Sequence, residues 1–129
     1  MKTDAIAIDS STLSVSWVKA LNQHASKRNI PFLEEPVSGS RPQAEAAQLI
    51  YLIGGSHETY TDSQTLSETM GPVINYTGEV GNGALAKLYT NTLLGVQVAT
   101  LAELISTLQA HNGVDIEKII SALFVYRRT

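Results

Sequence analysis

The sequence predicts an α/β protein: a layered, largely parallel sheet with flanking helices, followed by a long buried helix. Two observations carry this prediction. Short apolar runs alternate with helix-period segments from Ala5 to Tyr76, and Gly, Pro, Ser or Asp clusters separate them. Residues 84–110 then continue without a proline and with only two charges, Lys87 and Glu103. Strands that alternate with helices favour parallel pairing, because parallel neighbours need a crossover connection, while periodicity leaves antiparallel pairing at an edge open.

Ala5-Ile6-Ala7-Ile8 is a continuous apolar run of the kind that lies buried on both faces of a sheet. Asp9-Ser10-Ser11-Thr12 follows it and offers helix N-cap side chains. Leu13, Trp17, Val18 and Leu21 recur at helical spacing, which assigns them to the core side of a helix over residues 13–28. Lys27-Arg28 suits its C-terminus. Residues 30–34 form the next strand, and residues 36–42, with two prolines, a glycine and two serines, form a loop.

Gln48 to Ile53 is the strongest strand signal, with Gly54-Gly55 expected to stop it. Ser56 caps a helix reaching Met70, Gly71-Pro72 ends it, and Val73 to Tyr76 make a further strand. A continuous helix over residues 84–110 would be about 40 Å long at about 1.5 Å per residue. It is apolar or weakly polar nearly all round, so other elements or a second copy of the chain must enclose it. Gly113 breaks it, Asp115 caps a last helix over residues 116–124, and Arg127-Arg128-Thr129 reads as a frayed end.

The 129 residues suffice for one ordinary domain, and 43% hydrophobic against 16% charged residues supplies a normal core. A formal charge of -3 argues against general nucleic-acid binding, which uses clustered cations to neutralise phosphates. With no cysteine there is no thiol catalysis, disulfide or Cys-zinc site. His24, His57 and His111 are scattered and give no metal-ligand spacing, so no metal is expected. The N-terminus lacks a signal-peptide pattern and no eighteen-residue apolar run is uninterrupted, so the reading is cytoplasmic, with no membrane span.

Lys87 is the most informative position. It is the only cation between Arg41 and Lys118, and its neighbours one turn away are Gly83, Ala84, Thr90 and Asn91. Burial of an amine in such a stretch favours its neutral form, which suits proton transfer; a lysine snorkelling to solvent is the alternative. Asn91, four residues on, shares its helical face and can hold a substrate hydroxyl.

Two loops are further candidates. Pro36-Val37-Ser38-Gly39-Ser40-Arg41 follows a buried strand, at the edge where α/β sheets bind ligands. Ser38, Ser40 and Arg41 can hold a carboxylate there, and an ordinary turn is the alternative. Gly78-Glu79-Val80-Gly81-Asn82-Gly83 opens a helix but meets neither the dinucleotide nor the P-loop spacing. Close backbone approach is the better use of its glycines.

These segments resemble the β-hydroxyacid dehydrogenase family, which includes 3-hydroxyisobutyrate and 6-phosphogluconate dehydrogenases and glyoxylate/succinic semialdehyde reductases. The matches run in the family's order: Asp9-Ser10-Ser11-Thr12, Glu35-Pro36-Val37-Ser38-Gly39-Ser40, Leu52-Ile53-Gly54-Gly55 and Met70-Gly71-Pro72. They continue through the Gly78 to Gly83 turn, Lys87-Leu88-Tyr89-Thr90-Asn91 and Asp115-Ile116-Glu117. The resemblance implies that Lys87 transfers the proton, that Asn91 binds substrate, and that Ser38 and Gly39 hold the substrate carboxylate. Ser40 stands where many members have a second glycine, which resembles the glyoxylate reductase branch and implies a small hydroxy acid or aldehyde acid substrate.

By the same resemblance Ser11 and Thr12 border the nicotinamide end of NADP or NAD. Residues 1–81 correspond to the second half of a Rossmann-like cofactor domain, and residues 82–129 to the interdomain helix and the start of an all-helical domain. The family's dinucleotide fingerprint has no counterpart here, so the expectation is an impaired dehydrogenase. The alternative is a non-catalytic fragment, without cofactor binding, that forms a homodimer through residues 84–110.

Overall fold

The computed structural model describes residues 5–125; the expected frayed end at Arg127-Arg128-Thr129 lies outside them. A five-stranded sheet carries helices on both faces. β1 (Ala7–Asp9) pairs in parallel with β2 (Phe32–Glu34), and α1 (Val15–Ser26) connects them. β3 (Val37–Ser38) and the five-residue α2 (Arg41–Glu45) lead into β4 (Ile50–Gly55). α3 (His57–Met70) then crosses to β5 (Val73–Gly78), which lies parallel to β4.

The sheet is mixed rather than largely parallel. β2 and β3 both run antiparallel to β4, pairing Leu33 with Gly55, Glu34 with Gly54, Val37 with Tyr51 and Ser38 with Ile50. All four pairs share one register, and Leu52 N–H donates to the Pro36 carbonyl at 2.9 Å between them. β2 and β3 are therefore one strand, interrupted where Pro36 has no N–H to donate. The short link from Ser38 to Ile50 reverses the chain, whereas a parallel return would need a longer crossover.

α1 begins later than the Asp9–Thr12 cluster suggested. Asp9 Oδ1 accepts the Ser11 amide at 2.7 Å, closing a turn after β1. Ser14 becomes the cap, its hydroxyl accepting the Trp17 amide at 3.3 Å. Arg28 donates to the His24 carbonyl at 3.0 Å, and Asn29 ends the helix at φ 53°. The helix faces the sheet through Val18, with Val15, Leu21 and Ala25 beside it, so Trp17, expected in the core, is 60% exposed.

β4 takes in Gly54-Gly55 and ends at Gly55, with a register shift between Ile53 and Gly54. A Cβ on Gly54 would run into the Glu34 side chain, and one on Gly55 into Leu33. Glycine is needed at both positions because their antiparallel partners are bulky and the approach is close. On one face Phe32 packs with Val18 and Ala84; on the other, Leu33, Tyr51 and Ile53 pack under Tyr60 and Met70 of α3.

α4 (Asn82–Gln109) runs unbroken through Gly95, and α5 (Ile116–Val125) follows, with Asp115 Oδ1 accepting the Lys118 amide at 3.2 Å. The chain divides into two compact units, Met1–Asn91 and Thr92–Thr129, so the first turns of α4 belong with the sheet. The expected burial of the long helix is not supplied among the described residues. Only Gly83 and Ala84 of it are buried, while Leu93 and Val98 are 63% and 60% exposed. By length and composition alone this helix could cross a membrane, its mean hydropathy reaching 1.2 over an eighteen-residue stretch.

Candidate functional site

The end of β2 and the residue after it place two carboxylates back to back. Alternation along a strand sends Glu34 and Glu35 to opposite faces, and both are buried, at 1% and 0% exposure. Glu34 faces the start of α4. Its Oε1 accepts the amides of Gly81 at 2.6 Å and Gly83 at 3.0 Å, and its Oε2 accepts that of Ala84 at 2.9 Å. One acceptor-only group thus satisfies three amides at the beginning of a helix, where amides lack internal partners and negative charge is favoured. Gly83 is needed there, since a Cβ would lie 2.6 Å from the Leu52 carbonyl and 3.1 Å from the Glu34 carboxyl carbon.

Glu35 faces α3, whose buried stripe is Thr59, Ser63 and Ser67. The Ser67 hydroxyl donates to its Oε1 at 2.8 Å, and Oε2 has no partner among the described residues. Burial pushes the Glu35 carboxyl above the usual carboxylate range, and the Ser67 bond pulls it partly back.

The predicted site residues fall into two groups. Glu35 N–H donates to the Asp9 carbonyl at 2.8 Å, so Ser11, Thr12, Ser38 and Gly39 all follow from the same end of the β1–β2 pair. Ser11 and Thr12 are exposed and Ser38 is half-buried. Gly39 sits at φ 130°, where a Cβ would also press on Leu49 at 2.8 Å, so glycine is required. The Ser40 hydroxyl is engaged at the start of α2, donating to Gln43 Oε1 at 2.6 Å. Arg41 turns to Glu45 at 2.7 Å, with both side chains exposed.

The second group lies on α4. Lys87 is half-buried one turn beyond Gly83, on the same face, and Asn91 follows one turn later, exposed. Lys87 makes no ion pair among the described residues, and no hydrogen bond there joins it to Ser38 or Asn91. No group of three His, Asp or Glu among the described residues could hold a metal ion.

A polar cleft of about 600 Å³ opens elsewhere, lined by Lys19, Gln23, Ser56, Thr59, Glu79 and Asn82. It also takes in Pro31 and Phe32, at the end of β2 opposite to Ser38, and contains none of the predicted site residues. The chemistry argued from Lys87 and Ser38 therefore does not belong to that cleft.

The Gly78 to Gly83 turn can be tested against a dinucleotide. Its amides at Gly81 and Gly83, the donors a pyrophosphate would need, are already bound to Glu34. The turn does not fit a phosphate. Sequence reading assigned Glu34 to a strand and gave it no role. The signal was present, a glutamate within an apolar strand and glycines at two distant positions, but only the fold brings Gly54 and Gly83 against it.

The architecture is that of a dinucleotide-binding α/β unit with its helices on both faces of the sheet. Residues 1–78 match the NAD binding domain of 6-phosphogluconate dehydrogenase. The chain is 37% identical over 112 residues to the mitochondrial 3-hydroxyisobutyrate dehydrogenase of Drosophila melanogaster, covering 87% of this chain and 34% of that protein. It is 38% identical over 96 residues to the chloroplastic glyoxylate/succinic semialdehyde reductase 2 of Arabidopsis thaliana, covering 74% of this chain and 27% of that protein. Among solved structures, the Mycobacterium tuberculosis 3-hydroxyisobutyrate dehydrogenase with L-serine superposes with a TM-score of 0.76 at 33% identity, covering 79% of this chain and 35% of that one. The chain belongs to the β-hydroxyacid dehydrogenase family, whose cofactor is NAD or NADP. It spans about a third of the length of the curated relatives it matches.

Proposed function

We propose that this chain carries the proton-transfer and substrate-holding part of an NAD(P)-dependent oxidoreductase acting on a small hydroxy acid or aldehyde acid. Lys87 takes the hydroxyl proton as the alcohol is oxidised and returns it when the carbonyl is reduced. Asn91 orients the same oxygen, and Ser38 with the Gly39 backbone holds the carboxylate. Ser11 and Thr12 border the nicotinamide, which when bound accepts or donates the hydride at the substrate carbon. The observation that carries this reading is the half-buried Lys87, one turn from a helix start fixed to the strand that continues into Ser38.

Dehydrogenase activity of the 129-residue chain is impaired in this reading, because the amides of the Gly78 to Gly83 helix start are taken by Glu34. Calorimetric titration with NADPH is expected to give no saturation below the millimolar range. Tight, saturable binding would overturn the impairment. If turnover appears with glyoxylate or 3-hydroxyisobutyrate, Lys87→Ala should abolish it while sparing cofactor affinity, and a fully active variant refutes the role of Lys87.

A second reading follows from α4. Leu94 and Val98, one helical turn apart on one face, are 59% and 60% exposed, an apolar stripe that a second copy of the helix can cover. In this reading the chain is a non-catalytic homodimer without cofactor binding. Sedimentation at rising concentration tests it, and a monodisperse monomer throughout counts against it.

A further inference from the structure

We propose that Glu34 is a positioning residue for Lys87: it clamps the start of α4 onto the strand that carries Ser38, and so sets the two halves of the candidate site against each other. This rests on the reading of Lys87 as the proton-transfer group.

The geometry behind it is compact. Glu34 lies within one strand, and four residues along the same strand, about 13 Å of extended chain, stands Ser38. Its carboxylate holds Gly81, Gly83 and Ala84, and one helical turn of about 5.4 Å beyond Gly83 stands Lys87. Lys87 is thus tied through the Glu34 side chain to the strand that carries Ser38. The space for that side chain is made by two glycines from different elements, Gly54 across the sheet and Gly83 on the helix. A helix start held only by apolar packing could slide or rotate. Three backbone amides donating to one buried carboxylate, two of them to a single oxygen, fix both its depth and its rotation. A glutamine at the same position keeps the shape but turns one oxygen into a donor, which cannot accept an amide.

The test compares the full chain with Glu34→Gln and Glu34→Asp. Hydrogen exchange of the Gly81, Gly83 and Ala84 amides is expected to rise at least tenfold in the Gln variant, while β4 keeps its protection. The NMR signals of the Lys87 side chain should move in the Gln variant and return part of the way in the Asp variant. Affinity for 3-hydroxyisobutyrate should fall as far as in Lys87→Ala, and the double variant should lose no more than Lys87→Ala alone. A Lys87 signal identical to wild type in a folded Gln variant overturns the proposal, and so do additive losses. If Glu34→Gln does not fold, Gly83→Ala disturbs the same contact from the helix side and must move the Lys87 signal; an unmoved signal there also overturns it. Failure of the Lys87 reading looks different: Lys87→Ala would leave substrate affinity and turnover intact while Glu34→Gln still displaced the Lys87 signal.

Discussion

The carboxylate of Glu34 accepts the Gly81 amide at 2.6 Å across 47 residues of chain. With Gly83 and Ala84 it forms the tie between β2 and the helix that carries Lys87. Truncation by Glu34→Ala would leave three buried amides without an acceptor, each costing roughly 1–3 kcal/mol when unsatisfied. The expected loss, read by urea denaturation at neutral pH, is about 3 kcal/mol or more. A loss below about 1 kcal/mol would mean that the turn finds other partners.

Glycines at Gly54 and Gly95 should answer alanine in opposite ways. At Gly54 a Cβ meets the Glu34 side chain, so overpacking is expected to destabilise by about 1–3 kcal/mol. At Gly95 nothing lies within 4 Å and the residue sits inside an α-helix, so alanine should stabilise by up to about 1 kcal/mol. Thermal melts of the two single variants check both signs.

Glu35 predicts a pH dependence of the opposite sense to an ion-paired acid. Its folded-state affinity for a proton is raised by burial, with the Ser67 hydroxyl as partner and no cation paired with it among the described residues. Between its unfolded and folded titration points the folded state holds more protons. Stability contributed at this site is therefore highest below the ordinary carboxylate range, falls as pH rises through the window, and levels off above the folded-state value. Denaturation midpoints from pH 4 to 8 should show this fall in the wild type, and Glu35→Gln should remove it and be the more stable protein at pH 8. An unchanged slope in Glu35→Gln would assign the effect to another group.

What sequence could reveal followed from periodicity and caps. Ser56 capped α3 as read, because a serine before a polar helix start needs only local geometry, and its hydroxyl accepts the Thr59 amide. The apolar run within Gln48 to Ile53 gave β4, Ile50–Gly55, for the same reason. What depended on long-range pairing did not show. The close approach of Glu34 and Leu33 to Gly54-Gly55 was not legible, and of the two adjacent residues assigned to the core side of α1 only Val18 is buried, Trp17 being exposed. In the candidate site Lys87 and Ser38 stood out by residue type and motif, but Glu34 acts through amides, which carry no sequence signature. Ser40 and Arg41 were legible as polar residues on a loop, yet their local partners Gln43 and Glu45 already engage them.

Association through α4 can be tested at two positions one turn apart. Leu94 and Val98 lie four residues from each other, and they are 59% and 60% exposed. Burying such a side chain against a partner contributes about 1.5–3 kcal/mol, so each one replaced by lysine should weaken self-association about tenfold or more. Because both residues lie in the unit Thr92–Thr129, the Leu94→Lys and Val98→Lys variants should leave the urea midpoint of the sheet unit unchanged. Sedimentation across a hundredfold range of concentration reads the first effect and tryptophan fluorescence at Trp17 the second. Wild type that stays monomeric, or variants that associate as strongly as wild type, would move the apolar surface of α4 to some other use.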